Sequence, residues 1–307
     1  MIKVFIDGSA GTTGLRIHER LAAREDLTLL TLPEELRKDS TARAEMLHEA
    51  DVAFLCLPDA AAIEAVALAG ESSVRIIDTS TAHRTNPAWV YGFAELARRE
   101  AVANAKLVAN PGCHASGFLA LVTPLVKAGL LDRSVALTAY SITGYSGGGK
   151  KMIADYEAAE RDTLLGAPRQ YGLAQTHKHL PEMCAIAGLE TAPCFAPIVA
   201  DFYSGMEVSV PLFAKDLRGT VENVREIYAA AYNTPVVHYS EQADEGGFLS
   251  AAALSGRDDM EISVAGNADR ILLTARYDNL GKGASGAAIQ NMNIMLGVDE
   301  TLGLILN

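Results

Sequence analysis

An α/β domain with a parallel sheet, followed by a mixed and mainly antiparallel α+β domain, is the fold class this chain predicts. Three observations predict it. Strand-like and helix-like segments alternate through the first hundred residues, a glycine turn joins the first strand to the first helix, and from about Ser134 the strand-like runs crowd together.

The opening run "IKVFI" is a strand, and "GLRIHERLAAR" after it has the spacing of an amphipathic helix. "LTLLTL", "ADVAFLCLP" and "VRIIDTS" read as further strands, with "AAIEAVALA" as a helix between the last two. Alternation at this length is the signature of βαβ units, with helices on both faces of a parallel sheet. "KLVAN" adds a strand, and "GFLALVTPLVKAGLL" reads as the helix after it. Beyond Ser134 the strands "VALTAYSI", "FAPIVADF", "MEVSVPLF", "DMEISVAG" and "RILLTARY" surround one clear helix, "GTVENVREIYAAAYN". The closing "GASGAAIQNMNIMLG" is helical again and is expected to return to the first domain. The domains are therefore expected at 1–112 plus 284–307 and at 113–283. "GYSGGGKK", residues 144–151, is the one loop rich enough in glycine to be expected mobile.

With 49% hydrophobic and 21% charged residues in 307, the composition is that of a globular protein. A net charge of −12 argues against a nucleic-acid partner, which needs a basic stripe to displace counterions. The greasiest stretch, Phe118 to Leu131, is interrupted by Pro124 and Lys127, so no membrane span is expected. The amino terminus runs straight into a strand pattern, and a cytoplasmic home is expected. The four cysteines, Cys56, Cys113, Cys184 and Cys194, lack CxxC pairing and are expected as reduced thiols.

"DGSAGTTG" carries Gly8, Gly11 and Gly14 three apart, with Ser9, Thr12 and Thr13 between them. A phosphate at such a turn meets unpaired N–H donors and the positive end of the helix dipole. This points to a Rossmann-like dinucleotide site, although the spacing is GxxGxxG and not the commoner GxGxxG. Near the end of the second strand, "LPEELRKD" offers Glu34 and Glu35 to a ribose hydroxyl, and Arg37 and Lys38 to a 2′-phosphate. The basic pair tips the expectation toward NADP.

"NPGCHASG" places Cys113 at the start of a helix, where dipole and free N–H groups stabilise a thiolate. "THKHLPEM" supplies His177, His179 and Glu182 within six residues, and Pro181 suits a first helical turn. His179 would then stand just outside a helix with Glu182 orienting it. Zinc on this block is set aside, because nothing nearby completes a set of three or four ligands.

These segments, in this order, resemble the N-acetyl-gamma-glutamyl-phosphate reductase family, particularly its shorter variety. The blocks that carry the resemblance are "GSAGTTGLRI", "IIDTSTAHR", "YGFAEL", "VANPGCHASG", "SITGYSGGGKK", "THKHLPEM" and "DNLGKGASGAAIQNMNIMLG". The resemblance implies NADPH-dependent reduction of the small acyl phosphate N-acetyl-glutamyl 5-phosphate to the semialdehyde, in arginine biosynthesis. Cys113 matches the nucleophile that forms a thioester, and His177 and His179 match the acid/base region, with His179 preferred. Arg84 is implied as a substrate ligand, with Ser116 and Gly117 offering groups to the phosphate. Asn279, Lys282 and Asn291 fall in the terminal block expected near the nicotinamide, and a homo-oligomer, dimer or tetramer, is expected. "STAHR" and "GCHASG" depart from the longer variety, and His114, beside the sulfur, is given no role. The alternatives are an aspartate-semialdehyde dehydrogenase and a non-catalytic dinucleotide sensor.

Overall fold

The computed structural model describes residues 1–306, which divide into two compact units: 1–111 with 284–304, and 112–283 with the residues after 304. The first unit opens with β1 (Ile2–Asp7), α1 (Thr12–Leu21), β2 (Leu27–Leu30), α2 (Ser40–Glu49) and β3 (Val52–Leu55). It continues through α3 (Asp59–Ala69), β4 (Arg75–Asp78), β5 (Val90–Tyr91), α4 (Arg99–Asn104) and β6 (Leu107–Ala109). All six strands are parallel, in the order β2-β1-β3-β4-β6-β5. Strand order reverses at β1 and β3, and in open α/β sheets the crevice beyond such a switch point takes the ligand.

Alternation along β1 sorts its side chains between two cores. Val4 and Ile6 join Ile17 and Leu21 of α1 and Ile289 and Met292 of the closing helix, Gly286–Leu296. Phe5 points the other way, into a layer with Leu47, Ala62 and Ala65. Covering both faces is why β3 reads as an unbroken apolar run and not as an alternating one.

The second unit contains α5 (Cys113–Lys127), β7 (Thr138–Gly144), α6 (Gly149–Glu157), β8 (Arg169–Gln170), α7 (Leu180–Ala187), β9 (Cys194–Ala200) and β10 (Met206–Phe213). It ends with α8 (Val221–Ala231), β11 (Val237–Tyr239), β12 (Met260–Gly266) and β13 (Arg270–Tyr277). These strands form one mixed sheet, β11-β12-β13-β10-β7-β9-β8, antiparallel at four of its six junctions. The α+β character expected beyond Ser134 is present.

Helix α5 is the spine of this unit, packing on β10 and β13 between α7 and α8. It runs through Pro124, which has no N–H for the carbonyl of Ala120. The Tyr232 hydroxyl donates to that carbonyl at 2.6 Å, and Tyr228 donates to the next one, Leu121, at 2.5 Å. A proline that would leave a buried acceptor without a partner is thereby satisfied from the neighbouring segment.

The glycine-rich stretch after β7 differs from expectation. It is a helical turn, Tyr145–Gly148, leading into α6, and the main-chain N–H groups of Gly144, Tyr145 and Ser146 all donate to carbonyls in 202–205. A Cβ on Gly144 would lie 2.6 Å from the Tyr203 carbonyl oxygen, so this glycine serves close backbone approach. No helix among the described residues is long and apolar enough to cross a membrane.

Candidate active site

In the first unit the glycines of the β1–α1 turn have separate physical tasks. Gly8 has φ +89°, and a Cβ there would stand 2.3 Å from the Cys56 carbonyl oxygen at the end of β3. A Cβ on Gly14 would meet the Gly8 carbonyl oxygen at 2.5 Å, whereas one on Gly11 would find its nearest atom at 3.5 Å. Gly8 and Gly14 are thus demanded by the turn itself, and Gly11 leaves room over the helix end. Helix α1 has no side-chain cap and no acidic residue in its first turn, which carries Thr12 and Thr13. A turn of this kind fits a dinucleotide pyrophosphate, which would supply the missing acceptors.

Arg37 and Lys38 are exposed just after β2, and Arg37 makes a loose 3.5 Å pair with Glu34. Near them lies a group that sequence reading missed. Buried Arg43 on α2 bridges Asp7 at 2.9 Å and Glu64 at 2.7 Å, tying the end of β1 to α3. Asp7 is nonetheless raised above the usual carboxylate range, because its burial outweighs Arg43.

Arg84 is buried, with Nε donating to the Asn110 carbonyl and Nη2 to the Thr79 carbonyl, both at 2.9 Å. It therefore braces the strand end that precedes Cys113. Beside it the fully buried Asp78 accepts from Ser80 and from His83 Nδ1 at 2.6 Å, and His83 stacks on Trp89. Asn291 of the closing helix donates to the Gly92 carbonyl at 2.7 Å and to Asn110 Oδ1 at 3.1 Å, so it holds the same strand end from the other side.

Cys113 is the first residue of α5, in the second unit, and Gly112 is its N-cap. The Gly112 N–H donates to Glu182 Oε1 at 2.8 Å. Glu182 is buried in the first turn of α7, so its carboxylate reaches the turn that presents the cysteine. No local residue pattern points to this bond, which joins residues 70 positions apart.

The first turn of α5 is secured from its inner side. Tyr277 donates to the Cys113 carbonyl at 2.5 Å and accepts the Gly117 N–H at 3.0 Å, standing between two groups that would otherwise bond to each other. A Cβ on Gly117 would lie 2.7 Å from that hydroxyl and from Val208. Ser116 donates its hydroxyl to the Gly112 carbonyl at 3.1 Å and is buried. The groups of Ser116 and Gly117 that sequence reading offered to a phosphate are thus engaged inside the helix and with Tyr277.

His114, His177 and His179 form one cluster with Phe195 and Tyr171. The rings of His177 and His179 meet edge to face at 4.8 Å, and His114 lies 5.4 Å from His177 and 5.7 Å from His179. His177 Nδ1 accepts the His179 main-chain N–H at 3.2 Å. Burial and then the Lys178 charge hold the His177 imidazole below its ordinary value. His114 is pushed down to about 3, by burial first and then by His177 and Lys178.

The terminal block also reaches the cysteine. Gly281–Ser285 forms a π-helical turn, and a Cβ on Gly283 would lie 3.1 Å from the Cys113 Cβ. Both ends of the Asn279 amide are engaged, donating to Ser146 Oγ and accepting from the Gly205 N–H at 3.0 Å each. Lys282 is buried in that turn. Cys56 is half-buried at the end of β3, and desolvation pushes its thiol up to about 12, the opposite of an activated nucleophile. No group of metal-ligating side chains able to hold an ion is found among the described residues.

Residues 3–105 match the family of semialdehyde dehydrogenase NAD binding domains, and residues 113–279 match the semialdehyde dehydrogenase dimerisation domain. Fold and site thus define an oxidoreductase built on a nicotinamide-dinucleotide-binding domain. The chain is 45% identical over 98% of its length to N-acetyl-gamma-glutamyl-phosphate reductase 2 of Nostoc sp. (strain PCC 7120), covering 99% of that protein. It is 48% identical over 96% of its length to the N-acetyl-gamma-glutamyl-phosphate reductase of Brucella ovis, again covering 99%. The chain belongs to the N-acetyl-gamma-glutamyl-phosphate reductase family. Among solved structures, aspartate semialdehyde dehydrogenase II of Vibrio cholerae superposes with a TM-score of 0.74 at 18% identity, covering 97% of this chain and 98% of that one; this likeness is one of fold.

Proposed function

We propose that this reductase acts on N-acetyl-glutamyl 5-phosphate through a thioester on Cys113 and uses NADPH. The observation that carries the reading is the placement of Cys113. It opens a fifteen-residue helix, its N-cap is tied to buried Glu182, and the residue after it touches both histidines of "HKH". The helix dipole and first-turn N–H groups favour a thiolate, and also an oxyanion on the carbonyl that the sulfur attacks.

Neutral His177 accepts a main-chain N–H at Nδ1, so its own proton is on Nε2 and it offers a donor. His179 is left as the acceptor for the thiol proton. In the first half-reaction the C–S bond forms and the acyl C–O bond breaks, its electron pair leaving with inorganic phosphate. When bound, the reduced nicotinamide supplies hydride to the thioester carbonyl. The tetrahedral oxyanion then collapses to the semialdehyde, the C–S pair returns to Cys113, and His179 gives back the proton. Glu182 serves by fixing the Gly112 turn, and Arg84 by placing Asn110; in these roles they replace imidazole orientation and substrate binding.

The β1–α1 turn would hold the pyrophosphate, with Arg37 and Lys38 at a 2′-phosphate and Asn291 toward the nicotinamide. Asn291 Oδ1 is buried and has no hydrogen-bond partner among the described residues, which suits it to a carboxamide N–H. We also propose a homo-oligomer formed through the second unit, in keeping with the description of its family, and a cytoplasmic location. Two measurements test the chemistry. Rapid quenching with saturating substrate is expected to trap an acyl group on Cys113, and an adduct elsewhere overturns the mechanism. Running the reaction backwards with phosphate and NADP, N-acetylglutamate semialdehyde is expected to outpace aspartate semialdehyde; the reverse order refutes the substrate.

A further inference from the structure

The block "IIDTSTAHR" sets four polar side chains, Asp78, Ser80, His83 and Arg84, into the interior of the first unit, and the reaction above uses only Arg84. Asp78 is the last residue of β4 and is fully buried. A carboxylate can only accept, so its 2.6 Å contact with His83 is made by an Nδ1–H, and the lone pair of the neutral ring is on Nε2. His83 is only 8% exposed, yet Nε2 is not closed off from solvent and has no hydrogen-bond partner among the described residues.

The direction of this nitrogen is fixed. The imidazole stacks on Trp89 at 4.1 Å, with 13° between the ring planes. Asp78 is itself held by the Ser80 N–H at 2.9 Å and hydroxyl at 2.7 Å. Thr79 donates its N–H and hydroxyl to the Leu55 carbonyl at 3.0 Å each, and the Thr81 N–H donates to Asp59 at 2.9 Å, so the loop is bonded to the end of β3 and the start of α3. A polar atom left unmet in a frame this rigid calls for a donor that arrives with a ligand.

Strand order identifies the donor. Across the carboxyl ends the sheet runs β2-β1-β3-β4-β6, with neighbouring strands about 4.8 Å apart. The reading above puts the 2′-phosphate beyond β2, the pyrophosphate at the β1–α1 turn and the carboxamide at Asn291, which is bonded to Asn110 just past β6. His83 follows β4, between the last two positions, and its neighbour Arg84 is bonded to the same Asn110. The part of a dinucleotide that lies between its pyrophosphate and its carboxamide is the nicotinamide ribose, whose hydroxyls are donors.

We propose that His83 binds the nicotinamide ribose, with Nε2 accepting one of its hydroxyls and Asp78 holding the ring in that tautomer. His83 touches the cofactor; Asp78 is a positioning residue. The inference rests on the dinucleotide reading and goes beyond it by assigning a residue to the half of the cofactor that carries the hydride.

Asparagine places its amide where the Nδ1 of a histidine stands, and glutamine places it where Nε2 stands. His83→Asn can therefore keep the bond to Asp78, and His83→Gln the bond to the ribose. Calorimetry on the free enzyme compares NADP with adenosine 2′-phosphate 5′-diphosphate, which ends at the pyrophosphate. His83→Asn is expected to weaken NADP about tenfold, the loss of one hydrogen bond, with the truncated probe within about twofold; His83→Gln is expected to hold NADP within about threefold. Binding of the truncated probe shows that the variants keep the folded turn. Equal weakening of both ligands, or unchanged NADP binding in His83→Asn, overturns the proposal. So does a glutamine variant weaker than the asparagine one, the mark of a purely structural bond to Asp78. An unaltered protein that binds neither NADP nor NAD refutes the cofactor reading as well; one that prefers NAD moves the comparison to NAD against ADP. Nitrogen NMR of histidine-labelled protein at about pH 8, where an ordinary imidazole is neutral, is expected to show His83 protonated at Nδ1 alone. A proton on Nε2 overturns the contact.

Discussion

Cys113 and its neighbours show how much a single residue's chemistry depends on the exact atom its partner occupies. His177 and His179 are two positions apart and alike in type, yet one spends Nδ1 on the other's main chain. His179→Asn is expected to slow reduction by roughly 10²- to 10⁴-fold, the range for losing a general acid/base. His177→Asn keeps a side-chain donor and should cost less; steady-state rates of the two variants compare them, and a larger loss at His177 reverses the assignment. The presence of this cysteine and histidine pair was legible in the chain, because a Pro-Gly turn before a helix and an H-x-H before a proline are local patterns. Their division of labour was not, since it rests on which nitrogen meets which N–H.

At the scale of elements, the β1–α1 turn and α5 show two ways in which a helix end or interior is completed. Gly8→Ala forces a Cβ into the Cys56 carbonyl and an unfavourable φ, so it should both destabilise the protein and abolish dinucleotide binding. Gly11→Ala has room within the protein and should leave stability within about 0.5 kcal/mol while weakening the dinucleotide, whose approach it obstructs. Denaturant unfolding with dinucleotide titration separates these outcomes. In α5, Tyr232→Phe orphans the Ala120 carbonyl above Pro124 and should cost about 1–3 kcal/mol in the same unfolding measurement. The helix itself was readable from its apolar run. Its three tyrosine partners, Tyr228, Tyr232 and Tyr277, lie between 107 and 164 positions from the carbonyls they serve, beyond any pattern of spacing.

Across the whole molecule, the buried His114 imprints itself on stability as a function of pH. Its folded value of about 3 lies below the ordinary 6.5, so the unfolded chain takes up the proton first. The sign follows: this contribution is complete above pH 6.5 and is lost as pH falls toward 3, by at most about 1.4 kcal/mol per pH unit. His177, shifted in the same direction, adds to the slope. Denaturant unfolding at pH 7, 6, 5 and 4 should show the decline, and His114→Asn should flatten it; equal slopes in both proteins contradict the burial argument.

The two kinds of sheet, the glycine turn, the helix that begins at the cysteine and the family were all readable along the chain, because each is written in residues close together. Hydrophobic period and turn chemistry are local, so they survive in one dimension. It took the folded chain to show that Glu182 holds the Gly112 turn, that Arg84 braces Asn110, that Ser116 is engaged within its own helix and Gly117 with Tyr277, and that the glycine-rich stretch after β7 is bonded to the loop at 202–205. Hydrogen bonds have a reach of about 3 Å. Which groups come within it depends on how distant segments pack, and that is settled when the chain has folded.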